Sequence, residues 1–242
     1  DDVTLEMKPG SVVAIVGENG AGKTTLVKLL CRLYQPTKGR ILVDGVELSR
    51  VPVAAWRDRL SGAFQDFFRF EFRARQVVGV GDVPRVDDEP AVRAAVDRAG
   101  ADDVVSRLTS GLETQLGVTW PGGVDVSFGQ WQKLALARGF MRDRPLVLVL
   151  DEPTAALDAE TEHALFERYA SATSGGTSGR TAGTRGGAVT ILVSHRFSTV
   201  RMADQIVVLD GSRVVEVGSH DDLVARGGQY AELYAIQAAA YR

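Results

Sequence analysis

The nonapeptide Gly17-Glu18-Asn19-Gly20-Ala21-Gly22-Lys23-Thr24-Thr25, directly after the apolar run Val12-Val13-Ala14-Ile15-Val16, constrains this chain more than any other stretch. It fits G-x-x-x-x-G-K-[ST], a loop that wraps phosphates between a strand and a helix. Glycine lets backbone N–H groups turn inward on an anion, Lys23 supplies a compact positive charge for the outer phosphates, and the Thr24 hydroxyl is a ligand for Mg²⁺. The flanks have the order the motif requires. Five apolar residues before it read as a strand buried on both faces. Leu26, Leu29, Leu30 and Leu33 after it recur at helical spacing until Gln35-Pro36.

At 242 residues the chain suits one large α/β domain, or a core plus a smaller lobe. A net charge of −3 and the lack of any block of like charge give no basic footprint, so nucleic acid is not expected as a partner. The single cysteine, Cys31, excludes an internal disulfide or a cysteine-rich zinc site; it reads as a small residue on the helix after the loop. No apolar stretch approaches the ~18 residues of a membrane span. The chain opens at Asp1 inside an apparent alternating strand, with Val3, Leu5 and Met7 on one face, and is read as part of something longer.

Arg40 to Val43 with the Asp44-Gly45 turn predicts a hairpin, and Leu60 to Phe64 a short strand leading to Gln65. Residues 66–142 change character, with helices expected around Pro90 to Ala99 and Asp102 to Leu108, and read as an inserted helical lobe. Phe64, Phe67, Phe68, Phe70 and Phe72 straddle Gln65. Ordinary core is the first reading of these rings, and a partly exposed groove for a partner segment is the rival.

Ser127 and Gln130 form a capping box opening a strong helix, with Val126 and Trp131 as the staple across it. Such a helix end also suits a phosphate. Leu146 to Leu150 is an apolar strand ending in Asp151 and Glu152. Ligands of open α/β sheets sit at strand carboxyl ends, which makes Asp151 the Mg²⁺ partner and Glu152 the group that orients and deprotonates a water. A third buried strand, Val189 to Val193, delivers His195 to the same sheet edge, near the γ-phosphate. His163 and His220 are read as structural. Residues 171–187 hold six glycines and seven Ser or Thr, a flexible insertion. The tail reads as a hairpin turning at Asp210-Gly211, a Ser219 to Asp222 cap, and a final helix from Gln229.

Together these pieces resemble the nucleotide-binding domain of an ABC transporter, over essentially the whole chain. Gly17 to Thr25 resembles the family's Walker A, Gln65 its Q-loop, Val126 to Gln130 its signature, and Leu146 to Glu152 its Walker B with the catalytic glutamate. Ala156-Leu157-Asp158 resembles the D-loop, and His195 the switch histidine. These six motifs stand in the family's order. The resemblance implies a P-loop NTPase with an ABC-type RecA-like core, antiparallel β elements and an inserted α-helical subdomain. It implies ATP and Mg²⁺, with Glu152, His195 and Gln65 catalytic and Thr24, Gln65 and Asp151 on the metal. Gly17 to Thr25 would hold nucleotide, and Ser127, Gly129, Gln130 and Asp158 would complete a partner's site. Two such domains, alike or different, pair head to tail, and hydrolysis releases them.

Trp120 to Asp125 and the ending Gly227 to Tyr234 resemble exporter-type members, in which a transmembrane domain precedes the ATPase on one polypeptide. This implies an N-terminally truncated domain working at the cytoplasmic face of the cell membrane, with the phenylalanine region receiving a coupling helix. The family's adenine-stacking aromatic would lie upstream of Asp1, so the chain alone is expected to bind ATP weakly. The signature departs from the usual pattern at Val126 and at Phe128, which replaces its first glycine. A second reading is therefore a catalytically weak, nucleotide-gated partner domain that dimerises more than it hydrolyses. A third, a soluble relative acting on DNA or ribosomes, would bring a long coiled coil, zinc cysteines or a second cassette, and the sequence holds none.

Overall fold

The computed structural model describes residues 2–152 and 187–240, grouped in two compact units. One comprises residues 2–60, 145–149 and 187–240. The other comprises 61–144 and 150–152. Asp158, His163 and nearly all of the 171–187 segment lie outside the described residues.

The first unit is built on β1 (Val12–Val16), which pairs in parallel with both β6 (Val189–Val193) and β7 (Gln205–Asp210). Runs rich in Val and Ile favour a pleated ladder, and the near-continuous apolar pattern fits strands covered on both faces. Four of the five residues in β1 and in β6 are buried. Ile15 lies opposite Val193 on one side and Val207 on the other, so three strands end at one edge of the sheet. β8 (Arg213–Gly218) returns antiparallel to β7.

The turn between β7 and β8 falls one residue later than the sequence suggests. Asp210 pairs with Arg213, which leaves Gly211 and Ser212 as the two central residues, both with positive φ. A two-residue hairpin turn of this hand needs that conformation at both places. The hairpin of β2 (Leu42–Val43) and β3 (Val46–Glu47) turns at Asp44-Gly45 as expected, again with positive φ at both.

The phosphate loop leads into α1 (Lys23–Leu30), whose Val27 is buried against Ile15, Ile191, Val193 and Leu209, with Cys31 in the same cluster. Cys31 is a buried core residue, as read. The opening strand is not formed: residues 2–8 have no ladder. Their alternation survives only at Leu5 and Met7, which are partly buried beside exposed Glu6 and Lys8, with Met7 packed on the core cluster; Val3, on the same predicted face, is exposed. An apolar alternation makes a strand only when a neighbouring edge accepts its backbone hydrogen bonds, and among the described residues none pairs with it.

The second unit carries most of β4 (Leu60–Ala63) and a group of helices. The short α2 (Val53–Arg57) precedes it in the first unit, where Trp56 Nε1 donates to Leu30 O at 2.9 Å. Next come α3 (Ala74–Gly79), α4 (Glu89–Arg98), α5 (Asp102–Arg107) and α6 (Phe128–Gly139), with α3, α4 and α6 packed on one another. Asp88 caps α4 through Ala91 N, and Pro90 sits in its first turn, where the missing N–H costs nothing.

The reading of the phenylalanines as ordinary core is overturned. Phe64, Phe68 and Phe72 are exposed, Phe68 at 71%, and Phe67 and Phe70 are only partly covered. Five rings within nine residues exceed what one short segment can turn inward. They stack on one another instead, Phe68 with Phe70 and Phe70 with Phe72 at centroid distances of 5.0 and 5.5 Å. Arg138 lies over Phe70 at 5.0 Å and donates to Phe68 O at 3.2 Å; burial lowers the pKa of its guanidinium.

Asp143 ties the turn after α6 to two other elements. It accepts from Arg85 Nη1 at 2.6 Å and from Arg98 Nη1 at 3.0 Å, while the same arginines donate to Met141 O and Phe140 O. Burial pushes the Asp143 carboxyl upward, and the hydrogen bonds and charges of the two arginines outweigh it, so the pKa falls below the usual carboxylate value. A depressed folded pKa stabilises above the unfolded pKa of about 3.9 and stops doing so as pH drops through the folded one. Asp143 is about half exposed, so solvent screening trims its gain: Asp143→Asn should lower the melting temperature at pH 7 by an amount equivalent to about 0.5 kcal/mol, and the gap from the parent should narrow as pH falls below about 4. Thermal melts of both proteins across that range are the check.

Candidate functional site

The phosphate loop starts where β1 ends and is held in shape from beneath. Gly17, Gly20 and Gly22 all have positive φ, 148°, 85° and 98°. A Cβ on Gly17 would come within 2.2 Å of the Leu209 carbonyl oxygen on the adjacent β7. Ser212, in the β7–β8 turn, donates its N–H to Ala21 O at 3.2 Å, and a Cβ on Gly22 would meet the Ser212 hydroxyl at 3.3 Å. The sequence offers no sign of this prop, because it joins positions about 190 apart.

Lys23 lies back across the loop, with Nζ donating to Gly17 O at 2.7 Å and Glu18 O at 3.0 Å. Its charge is thus fixed over the loop rather than free to roam. Gly22 caps α1 in the left-handed conformation, with no side-chain hydrogen bond at the cap. The first N–H groups of the helix therefore meet no competing side chain at the cap, which with the dipole makes an anion site. Thr24 and Thr25 are exposed in that first turn. Gly20 faces open space, with no atom within 4 Å of where its Cβ would stand. The loop fits a polyphosphate.

His195 follows β6, and Ile15 pairs with Val193, so its position is at the sheet edge from which the loop emerges. The structure brings these two sequence-marked features together within one unit. Ser194 is buried and its Oγ accepts from Arg196 N at 3.0 Å; His195 is exposed.

The second unit holds the other marked residues. Gln65 is exposed after β4. Ser127 caps α6, its Oγ accepting from Gln130 N at 3.3 Å while Gln130 Oε1 accepts from Ser127 N at 2.8 Å, which is the expected capping box. Asp125 Oδ1 accepts from both Val126 N at 2.9 Å and Trp131 Nε1 at 3.0 Å, fixing the approach to the helix. Gly129 is half-buried in the first turn. Phe128 is 51% exposed, tilted against Phe67 at 5.6 Å, with the Arg69 guanidinium 5.3 Å above its ring. The segment after Gln65 thereby contacts the capped end of α6, a link that sequence reasoning missed although Arg69 lies among the phenylalanines.

β5 (Val147–Asp151) ends in Asp151, 9% exposed, and Glu152, whose φ of 46° lies in the left-handed region. A β-substituted residue held there costs on the order of 1 kcal/mol or more, and such conformations cluster at functional positions. Asp158 falls outside the described residues. Among the described residues no three acidic, His or Cys side chains gather into a metal cage. The donor types marked in the sequence, the Thr24 hydroxyl in the first unit and the Gln65 amide and Asp151 carboxylate in the second, are oxygen ligands of the kind magnesium takes, which is usually held by one or two carboxylates plus phosphate oxygens and water.

Residues 1–155 match the family model described as ABC transporter. The chain is 40% identical over 240 residues to the ATP-dependent lipid A-core flippase of Burkholderia orbicola, covering 98% of this chain and 37% of that protein. It is 40% identical to the beta-(1→2)glucan export ATP-binding/permease protein NdvA of Agrobacterium vitis, and 36% identical to the nisin transport ATP-binding protein NisT of Lactococcus lactis; each match covers 96% of this chain and 37% of the relative. A bacterial Atm1-family ABC exporter solved with ATP bound superposes with a TM-score of 0.84 at 36% identity, over 97% of this chain and 38% of that one. The chain thus spans a little over a third of the length of these relatives.

Gly17→Ala and Gly20→Ala separate the two demands on the loop. Both need positive φ, but only Gly17 meets a neighbouring backbone oxygen. Gly17→Ala should cost roughly 1–3 kcal/mol, and Gly20→Ala about 1 kcal/mol or less. Denaturant titration of the two variants would show the difference; equal losses would remove the contact with Leu209.

Proposed function

Because the chain belongs to the ABC transporter family, we propose that it is the ATP-hydrolysing motor of an exporter, acting as one of a head-to-tail pair of such domains. The observation that carries this is the loop itself: α1 opens on a cap without a side-chain hydrogen bond, and Lys23 is fixed above it. In this reading Gly17, Glu18, Asn19, Gly20, Ala21, Gly22, Lys23, Thr24 and Thr25 hold the triphosphate. Thr24, Gln65 and Asp151 are the residues that would hold magnesium, whose chemistry is to neutralise charge on the phosphate oxygens.

Glu152 takes a proton from water as the water oxygen bonds to the γ-phosphorus. The bond to the β–γ bridging oxygen breaks, leaving ADP and inorganic phosphate. His195 and Gln65 orient the water and the γ-phosphate. Ser127, Gly129 and Gln130, with Asp158, serve the nucleotide of a partner domain, identical or different.

The remaining proposals concern the surroundings of the motor. A transmembrane domain on the same polypeptide would transmit the closing motion, and the chain would sit at the cytoplasmic face of a membrane. Residues 66–142 would be the helical subdomain, and 171–187 an insertion outside the chemistry. By their names the relatives handle a lipid A core, a glucan and nisin. Three unlike cargoes share one kind of drive domain, which supports assigning drive rather than cargo choice to these residues. The cap on α6 is complete with Phe128 in place, so the departure at this position leaves the helix start intact.

Two substitutions test the assignment in the full-length protein. Glu152→Gln should keep ATP binding while steady-state hydrolysis falls about 10²–10⁴-fold, and undiminished turnover would take Glu152 out of the role. Ser127→Asp retains a good helix cap but replaces the hydroxyl donor by a negative charge. It should melt within about 1 kcal/mol of the parent and lose ATP-driven pairing, measured by sedimentation in the Glu152→Gln background.

A further inference from the structure

The last described helix of the chain grips the backbone just after His195, on both sides of Arg196. In α8 (Gln229–Ala240), the Gln237 side chain donates Nε2–H to the carbonyl of His195 and accepts from the N–H of Phe197 through Oε1 at 3.3 Å. One amide thus pairs with the backbone around Arg196 much as a neighbouring strand would. Phe197 opens the four-residue α7 (Phe197–Val200), whose cap at Arg196 has no side-chain hydrogen bond, so Gln237 satisfies an N–H the helix leaves over.

The grip is backed by packing from the same helix. The buried Phe197 ring meets Tyr230 at 5.2 Å and Tyr234 at 5.7 Å, and Tyr230 is fully buried with its hydroxyl 2.8 Å from His220 Nδ1. Burial, with a smaller effect from Tyr234, pushes the Tyr230 phenol well above its usual pKa, so it remains a neutral partner. Gln237, by contrast, is a half-buried polar side chain near the end of the helix, with exposed Ile236 beside it. Its two bonds flank Arg196, whose own N–H donates to Ser194 Oγ. The three-residue loop between β6 and α7 is therefore tied to the helix at its C-terminal end and braced internally at Arg196 N.

We infer that Gln237 is a positioning residue for His195: the C-terminal helix sets the peptide plane from which the histidine reaches the γ-phosphate. This rests on the ATPase reading above. It assigns to the tail a place in the reaction cycle that neither the motifs nor the family match, which ends at residue 155, assigns.

The test is made in the full-length protein with three changes, Gln237→Met, Gln237→Ala and His195→Ala. Methionine keeps the length and bulk of glutamine and loses both hydrogen bonds, so it separates gripping from packing. Gln237→Met and Gln237→Ala should each lower kcat for ATP hydrolysis roughly tenfold with KM for ATP changed less than about twofold, because binding is left intact and only alignment is lost. On the His195→Ala background neither should have a further effect, since the residue it aligns is gone.

A kcat for Gln237→Met within twofold of the parent overturns the inference, and so does an undiminished effect of Gln237→Ala when His195 is already alanine. A parent protein that hydrolyses no ATP, or whose rate ignores Glu152→Gln, sinks the underlying ATPase reading and this inference with it. A normal parent with an insensitive Gln237 sinks this inference alone. Thermal melts of each variant identify loss of fold; should Gln237→Met fail to fold, Gln237→Glu, which keeps only the acceptor, is read instead and must still lower kcat without raising KM.

Discussion

Parallel pairing of β1 with its two neighbours is the constraint on which the first unit depends. Because β6 and β7 run the same way as β1 in close register, whatever follows each of the three strands emerges at one edge of the sheet. The phosphate loop follows β1, His195 follows β6, and the turn that supports the loop follows β7. Residues almost two hundred positions apart become neighbours by strand direction alone. The ladder that makes this possible is a few short runs of branched apolar residues, buried on both faces.

The start of α1 and the start of α6 are two helix beginnings with opposite preparations. At α1 a glycine in left-handed conformation leaves the cap without a side chain, and a lysine is tied down across the loop. At α6 serine and glutamine satisfy each other's backbone groups. The first is suited to holding an anion for long periods. The second is a finished structural element that can present a hydroxyl to something outside its own chain. Phe128 rests against Phe67 and under Arg69 without disturbing the cap.

The strongest parts of this arrangement were readable from local pattern. The strand, loop and helix around Lys23, the capping box at Ser127, the acidic end of β5 and the helices at 89–98 and 102–107 all follow from short-range spacing, where sterics and capping decide the outcome. The failures have a common cause. The opening alternation predicted a strand, but a strand needs a neighbour, and pairing is not a local property. The phenylalanines were weighed as core by hydrophobicity alone, which takes no account of how many rings one segment can turn inward. The prop under Gly17, the Arg69 contact and the Gln237 grip join residues with no periodic relation, so no window of sequence contains them. Asp158 and nearly all of the glycine-rich insertion lie outside the described residues.

The capping box also bears on what Ser127 has left to offer. With Gln130 N donating to the Ser127 oxygen, the hydroxyl serves the helix as an acceptor and keeps its own O–H as a donor. An anion accepting from that O–H would leave the cap bond to Gln130 N unbroken, so the helix start and its outward donor do not compete for the same hydrogen.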